Sequence, residues 1–168
     1  LSVMTPDRRA FLALTGTTAA GIALWGCSSA PADAASENFP VRKSDAQWKA
    51  QLGPAAYAVL RQESTERPFS SPLNDEHRSG IFHCKGCDNA LYSSKTKFDS
   101  GTGWPSFWAP LKGAVGSRTD RTLGIARTEI HCARCGGHQG HVFDDGPPPT
   151  GKRYCMNGVS MTFKPGKA

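Results

Sequence analysis

The sequence predicts a mostly β fold made of short strands, and three observations predict it. Eighteen glycines and twelve prolines in 168 residues, with only 38% hydrophobic side chains, require many turns and leave little for a helical bundle. Apolar residues alternate only in short runs, such as Gly80-Ile81-Phe82-His83, Ala90-Leu91-Tyr92 and Val159-x-Met161-x-Phe163. Two C-x-x-C knuckles, Cys84/Cys87 and Cys132/Cys135, each follow a strand-like run, the arrangement in which a hairpin presents thiolates to a metal. The length suits one globular unit with a modest core.

Residues 1–34 read as an export leader. Arg8-Arg9-Ala10-Phe11-Leu12, followed by a moderately apolar run to Trp25 broken by Gly16 and Gly21, resembles a twin-arginine signal, which carries folded proteins across a membrane. The run is too short and polar to predict a transmembrane helix. Ala32-Asp33-Ala34 fits simple cleavage, and Leu24-Trp25-Gly26-Cys27 resembles a lipoprotein box that would anchor the chain to lipid at Cys27. The bulk of Trp25 favours simple cleavage and a soluble, periplasmic product. Residues 35–43 then form a linker and 44–168 the domain.

Ser44-Asp45-Ala46-Gln47 predicts a capping box opening a helix to Leu52, which Gly53 ends; Pro54 suits the first turn of a second helix to about Gln62. Residues 64–79 read as polar connection. Gly80–His83 and Ala90–Tyr92 predict two strands flanking the first knuckle. Trp104, Phe107 and Trp108 lie in a Gly/Pro-rich stretch, read as a loop whose aromatics either plug the core or line a pocket. Strands are expected at Gly116–Asp120 and Gly124–His131, the second delivering Cys132 and Cys135. Polar groups gather in Gly136–Asp145, and a Gly-Pro-Pro-Pro-Thr-Gly turn leads to Arg153-Tyr154-Cys155-Met156-Asn157.

Four cysteines in two knuckles separated by 44 residues predict a structural zinc, because four thiolates fill a tetrahedral shell and leave no place for water. Two disulfides are the alternative in an exported protein, but tight C-x-x-C disulfides are usually redox-active. Cys155 is the thiol left over. On its own it fits an inert core cysteine as well as a nucleophile whose pKa Arg153, His138 and His141 would lower on converging. The formal charge of +6 survives loss of the leader, which holds two arginines and two aspartates. Lys and Arg form no block longer than two, a pattern of solvated faces that predicts no nucleic-acid partner.

The knuckles, Gly103-Trp104-Pro105-Ser106-Phe107, Arg127-Thr128-Glu129, Gly140-His141-Val142-Phe143-x-Asp145-Gly146-Pro147, Pro149-Thr150-Gly151-x-Arg153-Tyr154-Cys155-x-Asn157 and Thr65-Glu66-x-Pro68-Phe69 together resemble the methionine-R-sulfoxide reductase family, MsrB. The likeness spans residues 44–165. It implies a β-tent of antiparallel sheets, a structural zinc on Cys84, Cys87, Cys132 and Cys135, and reduction of methionine-R-sulfoxide in oxidised proteins and peptides by a monomer. It further implies Cys155 as nucleophile, His141 and Asn157 on the sulfoxide oxygen, His138 and Asp145 supporting them, and Arg153 favouring the thiolate. Trp104 would cradle the ε-methyl group, with Phe107 and Phe143 as further substrate-facing aromatics. Many family members carry a resolving cysteine where this chain has Thr102, so an external, thioredoxin-like thiol donor is expected to reduce the Cys155 sulfenic acid. A rival reading, a zinc-ribbon module using its charge to bind nucleic acid, explains the knuckles but not the clusters around His141 and Cys155.

Overall fold

A computed structural model of the chain describes residues 38–168. The twin-arginine stretch, both cleavage readings and Cys27 lie outside the described residues.

The two expected helices form one interrupted helix, α1 (Asp45–Gln62). Its capping box is in place: the Ser44 hydroxyl accepts from the Gln47 amide at 3.3 Å and the Gln47 side chain accepts from the Ser44 amide at 2.8 Å. Gly53, at φ 71° and ψ 171°, breaks the helix before Pro54, and the chain leaves through left-handed Glu63. The inner face buries Trp48, Leu52, Ala56, Val59 and Leu60. Among the described residues no helix is long and apolar enough to cross a membrane.

Nine strands follow: β1 (Gly80–Cys84), β2 (Ala90–Ser93), β3 (Lys97–Phe98), β4 (Ser106–Phe107), β5 (Val115–Asp120), β6 (Arg127–Cys132), β7 (His138–Phe143), β8 (Arg153–Met156) and β9 (Met161–Pro165). All pair antiparallel, in a three-stranded sheet ordered β2-β1-β9 and a six-stranded sheet ordered β3-β4-β8-β7-β6-β5. One core joins them, with Phe82, Leu91, Tyr92, Phe107, Ile130, Met156 and Met161 drawn from both sheets. Tyr92 stacks on Phe107 with ring centroids 4.3 Å apart, and Phe82 meets Phe107 edge-on at 4.9 Å.

Three expectations change here. Ser106 and Phe107 belong to a strand, not a loop, and Phe107 is 0% exposed, so it fills the core and is not a substrate wall. Val159 sits in a 3-10 turn, Gly158–Ser160, and the last strand begins only at Met161. The polar run from His138 is itself a strand, third from the edge of the larger sheet.

Register positions the chemistry. Cys155 lies on β8 directly between Ser106 of β4 and His141 of β7; His141 faces Glu129 of β6, and Glu129 faces Arg118 of β5. Directly opposed residues project from the same side of a sheet, so five strands line up one row of polar side chains. Gly140 allows the close approach of β7 to β8, because a Cβ there would strike the Cys155 carbonyl.

Candidate active site and metal centre

The two knuckles are built alike. β1 ends at Cys84 and β6 at Cys132. In each, the amide four residues on closes a turn onto the first cysteine's carbonyl: Asp88 to Cys84 at 2.8 Å and Gly136 to Cys132 at 2.9 Å. Both turning residues have positive φ, 59° for Asp88 and 66° for Gly136. The four sulfurs lie within 4.8 Å of one another, with Cys84–Cys135 at 3.7 Å and Cys87–Cys132 at 3.5 Å. A tetrahedral ion with bonds of about 2.3 Å sets its sulfurs about 3.8 Å apart, so this cluster fits a metal, and the separations are far longer than the ~2.05 Å of a disulfide. Side-chain amides point at the thiols, Gln139 Nε2 to Cys84 at 3.4 Å and Asn89 Nδ2 to Cys132 at 3.6 Å, the kind of donation that steadies metal-bound thiolates.

Cys155 occupies a different place. It opens onto a cleft of about 140 Å³ lined by Thr65, Trp104, Arg127, His141, Phe143 and Asn157 with it. A larger hollow of about 630 Å³ lies between α1 and residues 64–73 and does not contain Cys155. The smaller cleft draws Cys155 and His141 from the polar row of the sheet. The expected residues Cys155, His141, Asn157, Trp104 and Phe143 thus meet in one place.

Each has a defined partner. His141 Nε2 meets Asp120 Oδ2 at 2.8 Å, and Arg127 reaches the same oxygen at 2.5 Å. The Thr122 hydroxyl and amide, then His141 and Arg127, hold the Asp120 carboxyl well below the usual carboxylate range. Burial lowers the His141 pKa, outweighing the upward pull of Asp120, so the ring is neutral near pH 7. A neutral ring donating through Nε2–H leaves Nδ1 as the basic nitrogen. His138 is buried and meets Glu129 Oε1 at 2.7 Å through Nδ1. Its Nε2 is buried with no hydrogen-bond partner among the described residues, and its ring lies 5.4 Å from that of His141. Glu129 is 2% exposed; against the upward pull of burial, His138 and Arg118 hold its pKa down and keep it ionised. Asn157 donates through Nδ2 to the Gln139 carbonyl at 3.1 Å and accepts at Oδ1 from the Glu66 amide at 2.9 Å.

One role differs from expectation. Asp145 does not support the histidines: it grips Arg153 through both oxygens, at 2.9 and 2.8 Å. Arg153, which also lies over the Phe143 ring at 4.5 Å, does draw the Cys155 pKa down, and so does the Thr102 hydroxyl. Burial outweighs both, so Cys155 rests as a thiol with a raised pKa. Thr102 Oγ1 stands 3.9 Å from Cys155 Sγ and is backed by Ser100 at 2.8 Å, which in turn meets Ser106 at 2.7 Å. Sequence reasoning missed Asp120, Glu129 and Glu66. Glu129 and Glu66 stand inside the quoted motifs, but their partners are far away in the chain. Asp120 ends a predicted strand, and only the β5–β6–β7 register shows which histidine it meets.

The SelR domain model matches residues 52–165. Curated proteins named peptide methionine sulfoxide reductase MsrB are similar to about three quarters of the chain. One from Agrobacterium fabrum is 56% identical over 126 residues, covering 74% of this chain and 93% of that protein. Another from Thiobacillus denitrificans is 54% identical over 124 residues, covering 73% and 94%. A third, from Pseudomonas putida, is 52% identical over 126 residues, covering 74% and 95%.

Proposed function

The chain belongs to the SelR-domain family of methionine sulfoxide reductases, MsrB, and from that premise we propose that it reduces methionine-R-sulfoxide in oxidised proteins and peptides with Cys155 as the nucleophile. The observation that carries this reading is that Cys155 lines one cleft with Trp104, Phe143, His141 and Asn157, in register with His141.

A sulfoxide sulfur becomes a good electrophile only when its oxygen is protonated or firmly hydrogen-bonded. The remaining Asn157 N–H holds that oxygen. His141 Nδ1 takes the thiol proton of Cys155 and passes it to the oxygen, while Asp120 fixes the ring and favours the transient imidazolium. The Cys155 thiolate attacks the sulfoxide sulfur and forms an S–S bond while the oxygen, protonated, becomes a hydroxyl; that S–S bond then breaks as the hydroxyl passes from the methionine sulfur to the cysteine sulfur. Cys155–SH and R(CH3)S=O become Cys155–SOH and R–S–CH3; the cysteine sulfur is oxidised by two electrons and the methionine sulfur reduced by two. Trp104 and Phe143 offer an apolar wall opposite these polar groups, a shape that accepts one handedness of a pyramidal sulfur.

The four other described cysteines form the metal cluster, and the side chain touching Cys155 at the resolving position is Thr102. The sulfenic acid is therefore reduced from outside: two thiols of a donor, thioredoxin-like in chemistry, yield Cys155–SH, the donor disulfide and water. Cys84, Cys87, Cys132 and Cys135 would hold a structural zinc, whose shell four thiolates would close. The leader motif in residues 1–34 supports work outside the cytosol, so the donor would be one that operates there.

The test is turnover of one peptide carrying the R or the S sulfoxide, with dithiothreitol as reductant. Reduction of R alone is expected; equal reduction of both, or of neither by folded protein, would overturn the reading.

A further inference from the structure

We propose that Glu66 is a positioning residue, whose carboxylate and own peptide group act as one brace fixing Asn157 and Trp104 relative to Cys155. This rests on the reductase reading and extends it to a residue outside the catalytic row.

Glu66 lies in the loop after α1, far along the chain from either group it touches. Its amide donates to Asn157 Oδ1 at 2.9 Å, and its carbonyl accepts from Trp104 Nε1 at 3.1 Å. Its carboxylate turns the other way and accepts from the two amides that follow Asn157, Gly158 at 2.6 Å and Val159 at 2.8 Å. One residue thus binds the side chain of Asn157, the backbone just after it, and the indole opposite. The half-buried carboxylate is desolvated, which raises its pKa, while the two amides pull it down. A buried carboxylate is costly, and both its oxygens are occupied by backbone donors that have no other partner here.

The neighbourhood fits a close-packed clamp. A Cβ on Gly158 would overlap the Ser71 side chain and stand 3.4 Å from Glu66 Oε1. The Asn157 amide has only one orientation that satisfies it, Oδ1 toward the Glu66 amide and Nδ2 toward the Gln139 carbonyl, which leaves one N–H for a ligand. Shifting this loop would move the oxygen-binding donor and the apolar wall together. Misplacing a catalytic group by about 1 Å can cost on the order of 10²-fold in rate, so a brace that touches no reacting atom still controls turnover.

Glu66→Gln is nearly isosteric but offers one acceptor where two amides need one each, and its NH2 confronts the second amide. A double-mutant cycle with Asn157→Ala reads whether Glu66 acts through Asn157. In the wild-type background Glu66→Gln is expected to lower single-turnover kcat about tenfold, and in the Asn157→Ala background to change it less than about twofold. Alkylation of Cys155 by iodoacetamide, which needs only the folded thiol, should be unchanged; if it falls, Glu66→Asp replaces the Gln variant in the same cycle. Hydrogen exchange of the Asn157 side-chain amide tests the brace without any activity, and should quicken about tenfold or more in Glu66→Gln. Equal losses of kcat in both backgrounds, or unchanged exchange, would overturn the brace. Wild-type protein that turned over neither epimer would count against the reductase reading, leaving the exchange result to judge the brace.

Discussion

The molecule uses cysteine in two opposite ways, and comparing the knuckle cluster with Cys155 shows what separates structure from chemistry. The cluster gathers four sulfurs within 4.8 Å, three of the cysteines buried, closed by matched turns at the ends of β1 and β6. Only Cys87 of the four is partly exposed. Cys155 stands alone on a central strand, partly exposed at a cleft, with hydroxyl, imidazole and carboxamide groups around it in place of other thiols. Sulfur is equally nucleophilic in principle at both; under the proposed mechanism, the open cleft and the histidine in register with it make Cys155 the reagent.

The sharpest way to break this comparison is to remove one sulfur from each region. Cys155→Ser should lower turnover on the order of 10⁴-fold or more while metal content and melting temperature stay at wild-type values. Cys87→Ser should do the reverse in kind: metal is lost and the fold destabilised by several kcal/mol, with activity falling only as the folded fraction falls. Metal analysis and thermal unfolding of both variants check the pair, and a Cys155→Ser protein that lost its metal would merge the two regions.

A smaller effect sharpens the account of Cys155 itself. Burial raises its pKa, so alkylation by iodoacetamide should climb with pH and still be rising above the ordinary thiol midpoint of about 8.5. Arg153 pulls that pKa down, so Arg153→Met should push it further up and slow alkylation at pH 8 by about threefold. Faster alkylation would show the sign to be wrong.

The legible parts of the sequence were those whose partners are close along the chain. The Ser44–Gln47 box, the Gly53-Pro54 break and the β1–β2 hairpin around Cys84 are local, and each stands where its residues predicted. The knuckle cysteines were legible for a different reason, because four soft ligands in two pairs have few other uses. Strands β3 and β4 have two residues each, too few for any periodicity to show. β7 was hidden by its composition: His138, Gln139 and His141 face polar partners, so the strand carries no apolar alternation to read. Phe107 could not be sorted from Trp104 by sequence, since only the pairing of β4 with β8 shows which aromatic enters the core. The family resemblance sets Asp145 beside the histidines, but here it reaches Arg153 across the turn. Asp120, three strands away from Cys155 in the sheet, serves His141 instead.

The most direct test of the central claim, that one cysteine reacts while four are structural, is mass spectrometry of the protein after one equivalent of methionine-R-sulfoxide peptide without reductant. Trapping with dimedone should add one label, on Cys155, with Cys84, Cys87, Cys132 and Cys135 unmodified and no intramolecular disulfide formed. A disulfide joining Cys155 to a knuckle cysteine, or label on the cluster with Cys155 untouched, would contradict the account.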